Sequence, residues 1–398
     1  MAKVLTLLFI VLLPLDLVFK ELDLWYLSSN FVGLILFLYG VLALRLRLTS
    51  SHIGFIFFVM LVLMSYFWSK EISYWIRSVL PLVLSIAYVL VIPSIVFYKN
   101  NLRVDDLLVC YVFSVLFVAI LAFIYYLIYG SVYAGDRMTL GSLNPTWLGA
   151  YISLAILICF DRLRSSVSFL YFGILIILSA FLVLTQSRTS MGAILGSLIF
   201  CLLIFSARDL VRSIKTLRLQ TVNFKWVFFV GVALIVLVGL VLVIGTENLG
   251  LMRLNSLMSG DLKAMTAGRN LLFFEYLQMP SDPLLGWGYG MTPYQYCEYY
   301  ACDSHRMPHN NYLLIFKELG VIGSAVYLFF SVHIIFKAIF WRSRRSFLVS
   351  LISVYLFIIG FGNDTIGYKY YWIGVLLYFI IYIGGRYEYH NSNTRLSR

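Results

Sequence analysis

Charge is scarce in this chain. Of its 398 residues only 12% are Asp, Glu, Lys or Arg, against roughly 25% in average soluble domains. With 62% hydrophobic residues and a mean hydropathy of +0.91, that excludes an ordinary soluble domain. Short alternating segments, the mark of a membrane β-barrel, are missing too. Cysteine is sparse: five residues exclude a disulfide scaffold. Cys110, Cys159 and Cys201 fall in apolar runs and read as packing residues, whereas Cys297 and Cys302 share a polar loop and could pair in an oxidising compartment. Motifs are missing as well. There is no G-x-x-x-x-G-K-[ST] loop for a nucleotide-driven pump, no H-E-x-x-H of a zincin and no D-x-D pair to hold a nucleotide sugar through a metal. The glycines of "GWGYG" follow no strand and are no dinucleotide fingerprint. A net charge of +12 does not point to nucleic acid here, because basic residues flank membrane spans on the cytoplasmic side.

What the chain does have is long apolar runs. A membrane span needs about 20 such residues. Twelve candidates lie near 4–20, 31–44, 53–69, 78–98, 107–129, 147–160, 169–187, 190–206, 226–245, 312–336, 346–362 and 370–385. The first resembles a signal peptide, but bulky "ELDLWYLSSN" follows it and it reads as a retained span. The expected fold is all-α: a polytopic integral membrane protein of about 12 transmembrane helices, a single domain over 1–398. With the N-terminus inside, nineteen of the thirty Lys and Arg residues fall on the inner side, which places both termini in the cytoplasm. One outer loop, about 246–311, exceeds all others. Within it Leu271, Phe274 and Leu277 recur at helical spacing and suggest a surface helix over 262–278.

Polar residues gather on that outer side. Arg188 sits in a tight turn, "VLTQSRTSMGA", where Thr185, Gln186, Ser187, Thr189 and Ser190 offer further donors. Arg269 heads the surface helix, and Arg137 precedes "LGSLNPTWLGAY". Each arginine alone reads equally as an interfacial residue reaching for headgroups; three on one face could hold a diphosphate through their planar forks. His305 and His309 lie four apart, but Pro308 between them disfavours the helical geometry that a shared metal would need. A neutral imidazole at His309 suits a general base, with Asn310 and Asn311 as polar neighbours. A helix from about 309 would carry His309 on its first turn. Lys317 and Glu318, deeper in the same apolar run, must face a polar cavity or pair with each other. The aromatics Trp287, Tyr289, Tyr294, Tyr296, Tyr299 and Tyr300 form either an interfacial belt or a platform for stacking sugars.

Four segments in order resemble motifs of the O-antigen polymerase and O-antigen ligase superfamily of bacterial envelopes, which includes the Wzy-type polymerases. They are "RMTLGSLNPTWLGAY" with Arg137 and Asn144, "TQSRTSMGA" with Arg188, "GRNLLFFEYLQMPSDPLLGWGYG" with Arg269, and "PHNNYLLIFKELGVIG" with His309, Asn310, Glu318, Gly320 and Gly323. The chain reads Asn144-Pro145 where the family pattern often reads Pro-Asn. The resemblance implies a GT-C-like glycosyltransferase of the bacterial inner membrane, its site facing the periplasm. The donor would be an oligosaccharide on undecaprenyl diphosphate, and neither metal nor other cofactor would be needed. It implies catalytic roles for His309, Arg188 and Arg269. Arg137, Asn310, Tyr289, Trp287 and His305 are the residues expected to bind substrate. Membrane lipids surround the protein, and a chain-length-regulating co-polymerase is an implied partner. A transporter of lipid-linked sugars is the alternative from another class; it would gain if Arg137, Arg188 and Arg269 lay far from His309.

Overall fold

The computed structural model describes residues 2–22, 24, 28–43, 50–98, 103–130, 137–141, 143–166, 168–216, 269–300, 307–341, 343–363 and 365–396. Among these residues every regular element is helical. Besides a 3-10 turn at Ser65–Trp68, they are α1 (Ala2–Glu21), α2 (Ser29–Ala43), α3 (Ser50–Met64), α4 (Ile72–Tyr98), α5 (Val104–Tyr129), α6 (Pro145–Ser165), α7 (Phe169–Thr185) and α8 (Arg188–Thr216). Then follow α9 (Arg269–Gln278), α10 (Thr292–Tyr300), α11 (Asn311–Phe340), α12 (Ser346–Gly362) and α13 (Lys369–Leu396). Five helices are long and apolar enough to cross a membrane, and further apolar helices are shorter. The protein is a polytopic helical membrane protein. Eleven of the twelve expected spans fall on these helices, and the candidate at 226–245 lies outside the described residues.

Helix ends are fixed by short-range chemistry. Asn144 caps α6, its side chain accepting from the Thr146 amide at 2.9 Å, with Pro145 in the first helical position. The unusual Asn-Pro order is thereby explained as a helix start. At the opposite end Asp105, in the first turn of α5, receives Arg162 from the end of α6 and a two-pronged contact from Arg345, at 3.2 Å for each prong. Three helices are clamped there. Lys369, at the start of α13, binds Asp16 of α1 and Asn30 of α2 (2.9 Å) and joins three more.

The packing that shapes the site runs through α7, α8, α11 and α12: α8 and α11 each lie against α12. The expected tenth span is not one straight helix. Gly320 takes φ 63° and ψ −162°, and α11 breaks there. A continuous helix would hold Asn311 and Tyr327, sixteen positions apart, about 24 Å from each other. Instead the Asn311 amide meets the Tyr327 hydroxyl at 3.3 Å, and the rings of Tyr312 and Tyr327 lie 5.7 Å apart. The first arm, 311–319, therefore folds back alongside the second. The second arm, 321–340, gives about 30 Å of helix, enough to span a membrane unaided.

A broken helix leaves backbone groups without intrahelical partners. Here residues 283–288 supply them. The Lys317 and Glu318 carbonyls accept from the Trp287 and Gly288 amides at 2.9 and 2.8 Å, and the Val321 and Ile322 amides donate to the Pro283 and Leu284 carbonyls at 2.9 and 3.4 Å. The fit is close: a Cβ on Gly320 would lie 2.2 Å from the Leu284 oxygen, and one on Gly286 would lie 2.5 Å from the Glu318 carbonyl carbon.

Candidate functional site

Between α7 and α8 the chain reverses in two residues. Gln186 adopts a left-handed conformation (φ 50°), and Arg188 opens α8. The hydroxyls expected to face a ligand are spent on the turn itself. Thr185 donates to the Leu182 carbonyl at 2.7 Å and accepts from the Ser187 amide at 3.3 Å, and Ser187 bonds Ser190 at 2.8 Å; all three residues are buried. Of the other two, Gln186 forms the turn and Thr189 accepts from Arg269. The hydroxyls of Thr185, Ser187 and Ser190 thus fix the turn from which Arg188 opens α8.

The three arginines converge on this turn. Arg137 donates Nε–H to the Thr185 carbonyl at 3.1 Å, while the adjacent Met138 amide binds the Leu184 carbonyl at 2.9 Å. The loop bearing Arg137 is thus pinned to the C-terminal end of α7, where a cation is favoured by the helix dipole. Arg269, the first residue of α9, donates Nη1–H to the Gly362 carbonyl at 2.5 Å and to Thr189 Oγ1 at 3.2 Å. It joins α9, α8 and the last turn of α12.

His309 comes to the same end of the molecule. It stands just outside α11, not on its first turn, and its φ is 49°. The reason is the cap that follows. Asn310 accepts from the Tyr312 and Leu313 amides at 2.9 and 3.0 Å, starting the helix at Asn311. Through its own amide Asn310 donates to the Phe361 carbonyl at 3.2 Å. Arg269 and the residue next to His309 therefore grip neighbouring carbonyls of α12. His305 lies outside the described residues.

Asn311, the second polar neighbour of His309, serves as a buried anchor. Fully buried, it donates to Thr365 Oγ1 at 2.6 Å and accepts from the Ile366 amide at 3.1 Å. It ties the His309 segment to the turn after α12.

Lys317 and Glu318 are explained by helix ends. Lys317 Nζ donates to the Met279 carbonyl at 2.7 Å and the Leu277 carbonyl at 3.4 Å, at the C-terminal end of α9. Glu318 accepts the Thr292 amide at 3.2 Å, at the N-terminal end of α10. Each charge faces the helix pole of opposite sign. Trp287 and Tyr289 are both buried. Trp287 packs with Tyr276, Met279, Met291, Tyr296 and Leu313 in a small second core, and Tyr289 belongs to the main one. Burial, with the Glu318 carboxylate nearby, holds the Tyr289 phenol well above its ordinary pKa, so it stays protonated. The expected free stacking faces at 287 and 289 are absent; Tyr299 and Tyr300 are the exposed rings. On α9, Leu271, Phe274 and Leu277 share an exposed face, as a helix lying on a membrane surface requires. Cys297 is disulfide-bonded, and Cys302 lies outside the described residues.

The fold and this polar end together define a multi-span helical membrane protein with a cationic cluster at one end of its bundle. Residues 173–328 match the family model described as O-Antigen ligase. The match places this segment in the O-antigen ligase and polymerase superfamily and takes in Arg188, Arg269 and His309; Arg137 lies before it. No curated protein matches the chain.

Proposed function

We propose that the protein is a periplasmic-face glycosyltransferase that polymerises oligosaccharide repeat units carried on undecaprenyl diphosphate. In this reading Arg188 and Arg269 hold the diphosphate. His309 takes the proton of the attacking sugar hydroxyl. The hydroxyl oxygen forms a bond to the anomeric carbon as the bond from that carbon to the phosphate oxygen breaks, which inverts the centre. The departing undecaprenyl diphosphate carries away the electron pair, and fixed guanidinium groups stabilise the charge where it develops. Arg137, pinned at the same turn, adds positive potential.

The observation that carries this reading is the shared anchor of Arg269 and Asn310 on the last carbonyls of α12. It holds an anion-binding group and the residue beside a base at one end of the bundle. The disulfide at Cys297 supports an oxidising compartment for that end.

A second reading keeps the same donor and transfers the chain to lipid A core, which would make the enzyme a ligase, the activity that the family description names. A broken helix is also a feature of transporters, whose freed backbone coordinates substrate. In α11 those groups are paired with residues 283–288, which argues for an enzyme. The test supplies purified protein with lipid-linked repeat units. A ladder of products supports the polymerase. Product only on adding lipid A core means ligase, and no glycosidic bond in either case overturns the enzyme.

A further inference from the structure

A concave feature lies apart from the arginine cluster. Where α10 and the segment joining it to α9 meet the turn just before α4, a cleft of about 470 Å³ opens, lined by Lys70, Asp282, Trp287, Gln295, Glu298 and Tyr299 among others. Gln295 is nine-tenths buried, and its Nε2 has no hydrogen-bond partner among the described residues. A buried amide donor left unsatisfied costs roughly 1–3 kcal/mol, so its place in this wall asks for a ligand that accepts hydrogen bonds. Tyr299 presents an exposed ring at the same cleft. Lys70 and Glu298 form a loose, solvent-exposed pair at 3.4 Å.

The charges decide what the cleft can take. Two carboxylates against one ammonium disfavour a diphosphate. An amide, carboxylate oxygens and an open aromatic ring instead match a molecule rich in hydroxyl groups with apolar C–H faces. The spacing fits as well. The ten residues of α9 run from Arg269 to the cleft wall at Met279, about 15 Å of helix. We propose that this cleft is a saccharide subsite that holds the sugar portion of the substrate while the arginine end holds its diphosphate. The pairing with a diphosphate rests on the function proposed above; saccharide binding by the cleft does not.

The test uses the free repeat-unit oligosaccharide, released by mild acid from the lipid-linked pool of the cells that make this protein. It is titrated by saturation-transfer NMR against full-length protein in nanodiscs. Saturable binding is expected, unchanged in His309→Ala and weakened at least tenfold in Gln295→Ala and in Tyr299→Ala. The exposed Tyr299 serves as the variant whose folding is not at risk. In turnover, Tyr299→Ala should raise KM at least tenfold with kcat nearly kept. No saturable binding, or equal binding by Tyr299→Ala, overturns the subsite. Binding with the expected pattern but no glycosidic bond formed would overturn the enzyme reading and leave the subsite standing. Turnover with an unchanged KM in both variants would do the reverse.

Discussion

Arg269 and Asn310 bind adjacent carbonyl oxygens, those of Gly362 and Phe361, at 2.5 and 3.2 Å. Forty residues separate the two in sequence, yet one turn of α12 sets both. A cation and the residue beside a histidine thus share a single rigid reference. Moving either one reaches the other through the end of that helix.

Arg269 should tolerate no replacement well. Arg269→Ala should cut transfer about 10²–10³-fold, as expected for removing one donor from a developing anion. Arg269→Lys should recover only part of this, because a single ammonium lacks the fork that can bind Gly362 and Thr189 and still offer donors to the proposed diphosphate. Initial rates with lipid-linked repeat units check both variants. Wild-type rates in Arg269→Ala would remove the arginine from the mechanism.

At His309 the backbone is left-handed, which asparagine adopts more readily than most residues. His309→Asn should therefore preserve folding while removing the base. Expected are an unchanged melting temperature and a rate lower by about 10²–10⁴-fold. Full activity in this variant would sink the general-base proposal without ambiguity from misfolding.

Gly320→Ala strikes the break in α11. A methyl there meets the Leu284 carbonyl in a backbone conformation alanine avoids. A loss of about 2–5 kcal/mol is expected, seen as a lower unfolding temperature and faster proteolysis within 279–300. Native stability would show that the two arms of α11 tolerate a continuous helix.

Lys317→Met separates charge from length. The side chain still fills its site, but the Leu277 and Met279 carbonyls lose their donor. The cost should be about 1–3 kcal/mol. Hydrogen exchange at the C-terminal end of α9 should rise, with α10 less affected. Faster exchange confined to α10 would contradict the assignment.

The helices were legible in the sequence because apolar runs near membrane length permit little else. Arg137, Arg188, Arg269 and His309 were legible as candidates because charge is rare enough to stand out. The break at Gly320 was not. Glycine inside "KELGVIG" looks like any helical glycine, and the groups that replace its lost hydrogen bonds lie some thirty residues earlier. Lys317 and Glu318 did announce something unusual, but their partners are helix poles, which have no sequence of their own. The hydroxyls around Arg188 were misread for a related reason. In a two-residue reversal the backbone's own demand for partners comes first.

The four backbone bonds at the break in α11 also govern how this protein can be taken apart. Residues 283–288 are stitched to a membrane helix, so the segment 279–300 is no detachable appendage. A loop exchange between related chains with its joints inside 279–320 would sever a helix as well as a loop. Chimeras that move 279–340 as one block should fold where shorter grafts fail.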